Sequence, residues 1–265
     1  MKVLILAGGK GTRISEESEY KPKPMINIGN QPILVHIMQT YATCGFKDFV
    51  ILAGYKQNVI KEYFANFNIY TNDVTFNLKN NNVSIIGEPK LDWNITVMDT
   101  GLETNTAGRV RRAASVLNKD NDDLFLLTYG DAVGNININD VIKSHKKSNK
   151  LATVCVYNFS QDKGVVEVNS DGSVKDFREK SKTDSYLINI GFMVIDKRVL
   201  TEYNLHDHLP FENTLEELAA QNQLNAYLHT GFWQCMDTLR EKNILEELER
   251  TGQSPWKDVK LDVES

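Results

Sequence analysis

The sequence predicts an α/β fold: a mixed, mostly parallel sheet flanked by helices, with a β-rich insertion. Three observations point there. Five consecutive apolar residues, Val3 to Ala7, run straight into the glycine-rich loop Gly8-Gly-Lys-Gly11, and a strand apolar on both faces belongs inside a parallel sheet covered by helices. Apolar runs at Phe49 to Ala53 and Leu124 to Thr128 then alternate with amphipathic stretches, the pattern of repeated strand–helix units. Between them, residues 67 to 100 change character, with short β-rich runs separated by asparagine-rich turns. The length of 265 residues, with 41% hydrophobic and 25% charged side chains, fits one large α/β domain or two small ones.

The opening loop carries the first chemistry. Gly8, Gly9 and Gly11 lack a Cβ, so backbone N–H groups following Leu6 and Ala7 can approach an anion closely, and Thr12 adds a hydroxyl donor. Lys10, Arg13, Lys21 and Lys23 place four cations within fourteen residues of a chain whose net charge is -5. That local reversal of sign suits a triphosphate. Two standard glycine motifs do not fit: Thr12-Arg13 follows Gly11 where a Walker loop needs Lys-Ser/Thr, and Ile14 stands where a dinucleotide fingerprint needs its last glycine.

The acidic balance argues against a nucleic-acid-binding surface. Cys44, Cys155 and Cys235 form no Cys-x-x-Cys pair and read as buried thiols of a reducing compartment. A chain that begins on a core strand, without an apolar run of about 18 residues, is expected to be cytoplasmic and free of membrane.

In order, Gln31 to Cys44 reads as a helix opened by Pro32 and closed by Gly45, and a second helix covers Val59 to Phe64. The excursion from 67 to 100 is read as an insertion around the nucleotide site, with Asn80-Asn-Asn82 at a hairpin tip. A helix over Val110 to Leu117 has Thr104 or Thr106 as candidate caps, and its N-terminus is a candidate donor site. Arg109, taken alone, reads as a solvated helix charge.

Asp131, just past the strand Leu124 to Thr128, sits where parallel sheets bind ligands and can hold a divalent cation. Helix Ile138 to His145, strand Ala152 to Val156, a strand–turn–strand unit around Asp171-Gly172 and strand Tyr186 to Ile195 follow. Helix Phe211 to Ala219, with Leu215, Leu218 and Ala219 inward, precedes strand Leu224 to His229. Thr238 to Glu241 has the spacing of a capping box, which would fix Asp237 at a helix start. The tail beyond Pro255 carries little signal.

Gly8-Gly-x-Gly-Thr-Arg13 with Pro22-Lys-Pro-Met25, supported by Thr128-Tyr-Gly-Asp131, Gly231-Phe-Trp-Gln-x-Met-Asp237 and Pro255-Trp-Lys257, resembles the sugar-phosphate nucleotidyltransferases. In detail it is similar to the cytidylyltransferase branch acting on glucose 1-phosphate. The resemblance covers most of the chain and implies the Rossmann-like nucleotide-diphospho-sugar transferase fold in a single domain, 1–265. Residues 1–150 would mainly bind the nucleotide, and 151–265 the sugar phosphate.

It further implies transfer of CMP from CTP to a sugar 1-phosphate, α-D-glucose 1-phosphate first, with Mg²⁺ as cofactor and a homo-oligomeric assembly. UTP or dTTP, or another phosphate acceptor, stay open. Arg13 and Lys23 would be catalytic. Leu6, Ala7, Gly8, Gly9, Gly11, Thr12, Arg13, Lys23, Thr104, Gly108 and Arg109 would bind nucleotide, and Asp131 with Asp237 the metal. Tyr129, Gly130, Glu179, Lys180 and Asn189 would bind sugar phosphate. Ser181, Ile190 and Asp162-Lys163 depart from the family pattern on that acceptor side.

Overall fold

The computed structural model of the chain describes residues 1–11, 20–88, 91–160, 165–178 and 185–261. Seven strands of these residues form the central sheet: β1 (Val3–Ala7), β2 (Asp48–Ala53), β3 (Asn94–Asp99), β4 (Leu124–Tyr129), β5 (Ala152–Ser160), β6 (Ser185–Asp196) and β7 (Leu224–His229). Their spatial order is β7-β5-β6-β4-β1-β2-β3. All neighbouring pairs are parallel except those of β6, which runs against both β4 and β5. The C-terminal ends of six strands and the beginning of β6 therefore share one edge.

β1 is buried along its whole length because it has a partner on each side, Val3 opposite Phe49 and Leu126, Leu6 opposite Leu52 and Tyr129. Its alternating side chains feed two cores. Val3, Ile5 and Ala7 join Phe49, Ile51 and the helix α1 (Ile33–Thr43) on one face, whereas Leu4 and Leu6 join Val50, Leu52, Phe125 and Leu127 on the other. Full burial of such a side chain stabilises the fold by roughly 1.5–3 kcal/mol.

The remaining helices are α2 (Gln57–Ala65), α3 (Phe67–Thr71), α4 (Thr106–Arg112), α5 (Ala114–Leu117), α6 (Ile138–Ser148), α7 (Val199–Glu202), α8 (Phe211–Ala220) and α9 (Leu239–Arg250). α1 begins after Pro32 and ends at Gly45, whose φ of +92° is the left-handed turn expected there. None of the described helices is long and apolar enough to cross a membrane.

The expected insertion from 67 to 100 is corrected at both ends. Phe67–Thr71 is helical, and Asn94–Asp99 is β3, paired in parallel with β2 from Asp48–Asn94 to Ala53–Asp99. As the edge strand β3 is only half-buried, so its mixed polar and apolar sequence mimics a solvent-facing hairpin. What remains inserted is the hairpin Asp73–Asn77 and Asn82–Ile86, whose tip includes Asn81 at φ +54°. None of its residues lines the candidate site described below.

On α8 the inward residues are Phe211, Thr214, Leu215 and Leu218, and Ala219 is exposed, one position round from the buried stripe. Cys44 and Cys155 are buried thiols, and Cys235 is half-buried. The tail is less bland than its sequence. Trp256 is 2% exposed, and its indole N–H donates to His36 Nδ1 at 3.2 Å. His36 Nε2 in turn reaches Ile28 O at 3.0 Å, which fixes the ring proton on Nε2.

Candidate active site

β1 and β4 end side by side at the ligand edge of the sheet, and the chain leaves them as Gly8-Gly9 and Gly130-Asp131. Between these exits lies a cleft of about 320 Å³, lined by Leu6 to Gly9, Gly11, Lys23, Pro24, Thr104 to Thr106, Arg109 and Tyr129 to Asp131. Gly130 N donates to Leu6 O at 3.0 Å, which holds the two exits together.

Asp131 and Asp237 stand 106 positions apart in the chain and are joined by a small ladder. Ala132–Gly134 pairs antiparallel with Trp233–Cys235, and Met236 N donates to Asp131 O at 2.8 Å. The predicted capping box is present: Thr238 Oγ1 accepts from Glu241 N, while the Glu241 carboxylate accepts from Thr238 N at 2.8 Å. The same carboxylate accepts from Asp237 N at 2.7 Å. Asp237 is thus mounted on a backbone fixed from both sides.

Lys23 enters between the two aspartates from a 3-10 turn, Lys23–Met25, preceded by the extended Pro22. Its ammonium donates to Asp131 Oδ2 at 2.7 Å and to Asp237 Oδ1. Burial disfavours the charge, but the carboxylates outweigh it and hold Lys23 above the ordinary lysine range. Cys235, beside this cluster, is pushed up to about 12 by burial and by Glu241, so it is a thiol rather than a nucleophile at neutral pH.

The donor set fits a hard divalent cation. Mg²⁺ takes one or two carboxylates and fills its remaining positions with phosphate oxygens and water. Asp131 and Asp237 converge on a single positive group, and no cluster of three or more His, Cys, Asp or Glu side chains occurs among the described residues. A cation here needs oxygens from a ligand.

Arg109 is neither solvated nor mainly pointed at the cleft. It is 4% exposed, and Nη1 donates to Ala53 O (3.2 Å), Thr100 Oγ1 (2.6 Å) and Gly101 O (2.9 Å), while Nη2 donates to Gly8 O (3.1 Å). One guanidinium therefore ties the ends of β1, β2 and β3. A Cβ on Gly8 would overlap the guanidinium, and one on Gly54 would lie 2.5 Å from Nη1. Gly8 leaves room for Arg109, whereas Gly9 faces open space and Gly11 supplies a φ of +65°.

Other sequence expectations are redistributed. Gly108 does not line the cleft: a Cβ there would lie 2.5 Å from the Asp207 carboxylate, so its small size serves packing. The cap of α4 is Asn105, whose side chain accepts from Thr106 N at 2.8 Å. Asn105 N and Ala107 N donate to Asp207 O and Leu209 O, so these first donors of α4 face a neighbouring segment rather than an anion. Asn105 and Thr106 line the cleft beside the expected Thr104; the helix start read at Thr104 to Thr106 is the sequence signal that points to them.

Tyr129 and Gly130 line the cleft. Asn189 does not; its Oδ1 accepts from Gly191 N at 2.9 Å and closes a turn within β6. Ile190, a departure from the family pattern, is 3% exposed and belongs to the core beneath α1. Thr12, Arg13, Glu179 and Lys180, with Ser181 and Asp162-Lys163, lie outside the described residues.

Comparison with known proteins adds four findings. The sequence pattern of the nucleotidyl transferase family matches residues 2–259. The glucose-1-phosphate cytidylyltransferase of Salmonella typhimurium is 44% identical over 257 residues, 97% of this chain and 99% of that protein. The mannose-1-phosphate guanyltransferase of Yarrowia lipolytica is 28% identical over 249 residues, 92% of this chain and 62% of its own length. Among solved structures, HddC from Yersinia pseudotuberculosis superposes with a TM-score of 0.65 at 19% identity, covering 93% of this chain and 98% of that one, a likeness of fold.

Proposed function

Because this chain belongs to the nucleotidyl transferase family, we propose that it transfers the CMP unit of CTP to α-D-glucose 1-phosphate, giving CDP-glucose and pyrophosphate. The observation that carries the reading is the convergence of Asp131 and Asp237 on the Lys23 ammonium beside the glycine loop. The choice of cytidine and glucose is supported by the near full-length likeness to the Salmonella enzyme.

An oxygen of the sugar phosphate attacks the α-phosphorus of CTP, a new P–O bond forms, and the bond to the β-phosphate breaks as pyrophosphate leaves. A phosphate monoester has a second pKa of about 6 and is mostly dianionic at neutral pH, so no general base is needed. Catalysis then rests on positioning and charge neutralisation. The amides from Gly8 to Gly11, with Thr12 and Arg13, would hold the leaving phosphates.

Lys23, already buried and charged, has only to shift its ammonium from carboxylate to phosphate oxygen. Asp131 and Asp237 would hold Mg²⁺, whose chemistry when bound is to neutralise charge on the phosphates. Tyr129 and Gly130, with Glu179 and Lys180, would form the acceptor side of this reading. A cytoplasmic location accords with CTP and sugar phosphates as substrates, and a homo-oligomeric assembly is part of the proposal on the family resemblance alone.

The test is pyrophosphate release with Mg²⁺ across CTP, UTP, dTTP and ATP against several sugar 1-phosphates. Release with CTP and glucose 1-phosphate alone is expected. Release with another nucleotide or acceptor would keep the mechanism and replace the substrate, and silence across the grid would overturn the reading.

A further inference from the structure

Tyr129 is the last residue of β4 and forms part of the cleft wall, and both ends of its side chain are held. The ring lies against Gly191 of the adjacent β6, where φ is +83° and a Cβ would sit 2.5 Å from Tyr129 Cδ2. The hydroxyl donates to a carboxylate oxygen of Glu212. Glu212 lies in the first turn of α8.

The start of α8 is itself anchored to the nucleotide side. Phe211 N donates to Thr106 Oγ1 at 2.7 Å, and Thr106 lines the cleft. Just upstream, Asp207 O and Leu209 O accept from Asn105 N (2.6 Å) and Ala107 N (3.1 Å). The Asp207 carboxylate pairs with Arg111 at 2.7 Å and with Arg112 at 2.8 Å, in the space that Gly108 leaves open. A continuous set of bonds thus runs from the wall at Thr104–Thr106 through 207–212 to the Tyr129 hydroxyl.

We propose that Glu212 is a positioning residue for the acceptor: it fixes the Tyr129 ring as a wall of the sugar-phosphate subsite, and the 207–212 segment sets that wall from the nucleotide side. Glu212 acts through Tyr129 and touches neither reacting atom. The inference rests on the proposed reaction and adds to it the group that shapes the acceptor subsite.

The experiment compares Glu212→Ala, Glu212→Gln, Tyr129→Phe and the double variant Glu212→Ala/Tyr129→Phe with wild-type protein, reading kcat and both KM values. Glu212→Ala is expected to raise the sugar-phosphate KM about tenfold, the scale of one lost charge-assisted hydrogen bond. The CTP KM should stay within about twofold, because uniform loosening of the site would move both. Glu212→Gln, which keeps an acceptor oxygen, should recover most of the loss. Tyr129→Phe should match Glu212→Ala, and the double variant should be no worse than either, in KM and in substrate-free Tm.

Additive effects in the double variant, or equal rises in both KM values, would overturn the proposal. A wild type silent with every substrate pair would overturn the reaction and the proposal together. An active wild type whose variants leave the sugar-phosphate KM unchanged would overturn the proposal alone.

Discussion

Among the described residues the site holds two buried cations in two different regions, and they are wired differently. At the floor, Lys23 is 8% exposed and its partners are side-chain carboxylates. At the wall, Arg109 is 4% exposed and its partners among the described residues are four main-chain carbonyls and a threonine hydroxyl. A carboxylate can trade an ammonium for a metal or a phosphate-bound partner without moving the backbone. A carbonyl at the end of a strand cannot give up its donor without loosening that strand. Burial alone does not say whether a charge serves chemistry or architecture; the identity of its partners does.

Variants can break or sharpen that contrast. The largest effect is expected at the floor. Asp131→Asn should keep the circular dichroism of the wild type and lose about 10²–10³ in kcat, the usual result of removing one preorganised charge. Near-normal turnover would remove Asp131 from the metal site. Lys23→Ala should fall in the same range.

Arg109→Ala should do the reverse. Orphaned buried acceptors cost about 1–3 kcal/mol each when no water replaces the donor, so a lowered denaturation midpoint is expected before any selective effect on CTP. Unchanged stability with weakened CTP binding would make Arg109 a nucleotide ligand and erase the contrast. Gly54→Ala, which pushes a methyl against the same guanidinium, should cost about 1–3 kcal/mol in urea unfolding.

The smallest effect is in pH. Lys23 has a raised folded-state pKa, so its pairing stabilises fully below the unfolded value of 10.5 and is lost as pH rises through the higher folded one. The Tm of wild-type protein should fall more steeply above that point than the Tm of Asp131→Asn. Parallel alkaline profiles would count against the Lys23–Asp131 pair.

Much of this arrangement is legible in the amino-acid sequence. The apolar run of β1, its glycine loop, Asp131 beyond β4 and the capping box at Asp237 each follow from local pattern, because strand burial, turn chemistry and helix caps are written in adjacent residues. Contacts between distant segments are not. Nothing near Gly8 says that Arg109 will fill the place of its Cβ, or that Gly108 makes room for Asp207. β3 reads as part of an insertion because an edge strand has one sheet neighbour and tolerates polar residues. The burial of Trp256 on His36 joins residues 220 positions apart, a pairing no periodicity encodes.

The reversed direction of β6 has a consequence for how such a protein can change over generations. Because β5 finishes and β6 begins at the sheet edge where β1 and β4 also end, the chain leaves the sheet at Ser160 and rejoins it at Ser185 on that same edge. The segment between them can gain, lose or exchange residues without shifting the register of β1, β2 or β4, and so without disturbing the nucleotide wall. A chain built this way can remodel a single excursion while the strands that end at the glycine loop and at Asp131 keep their pairing.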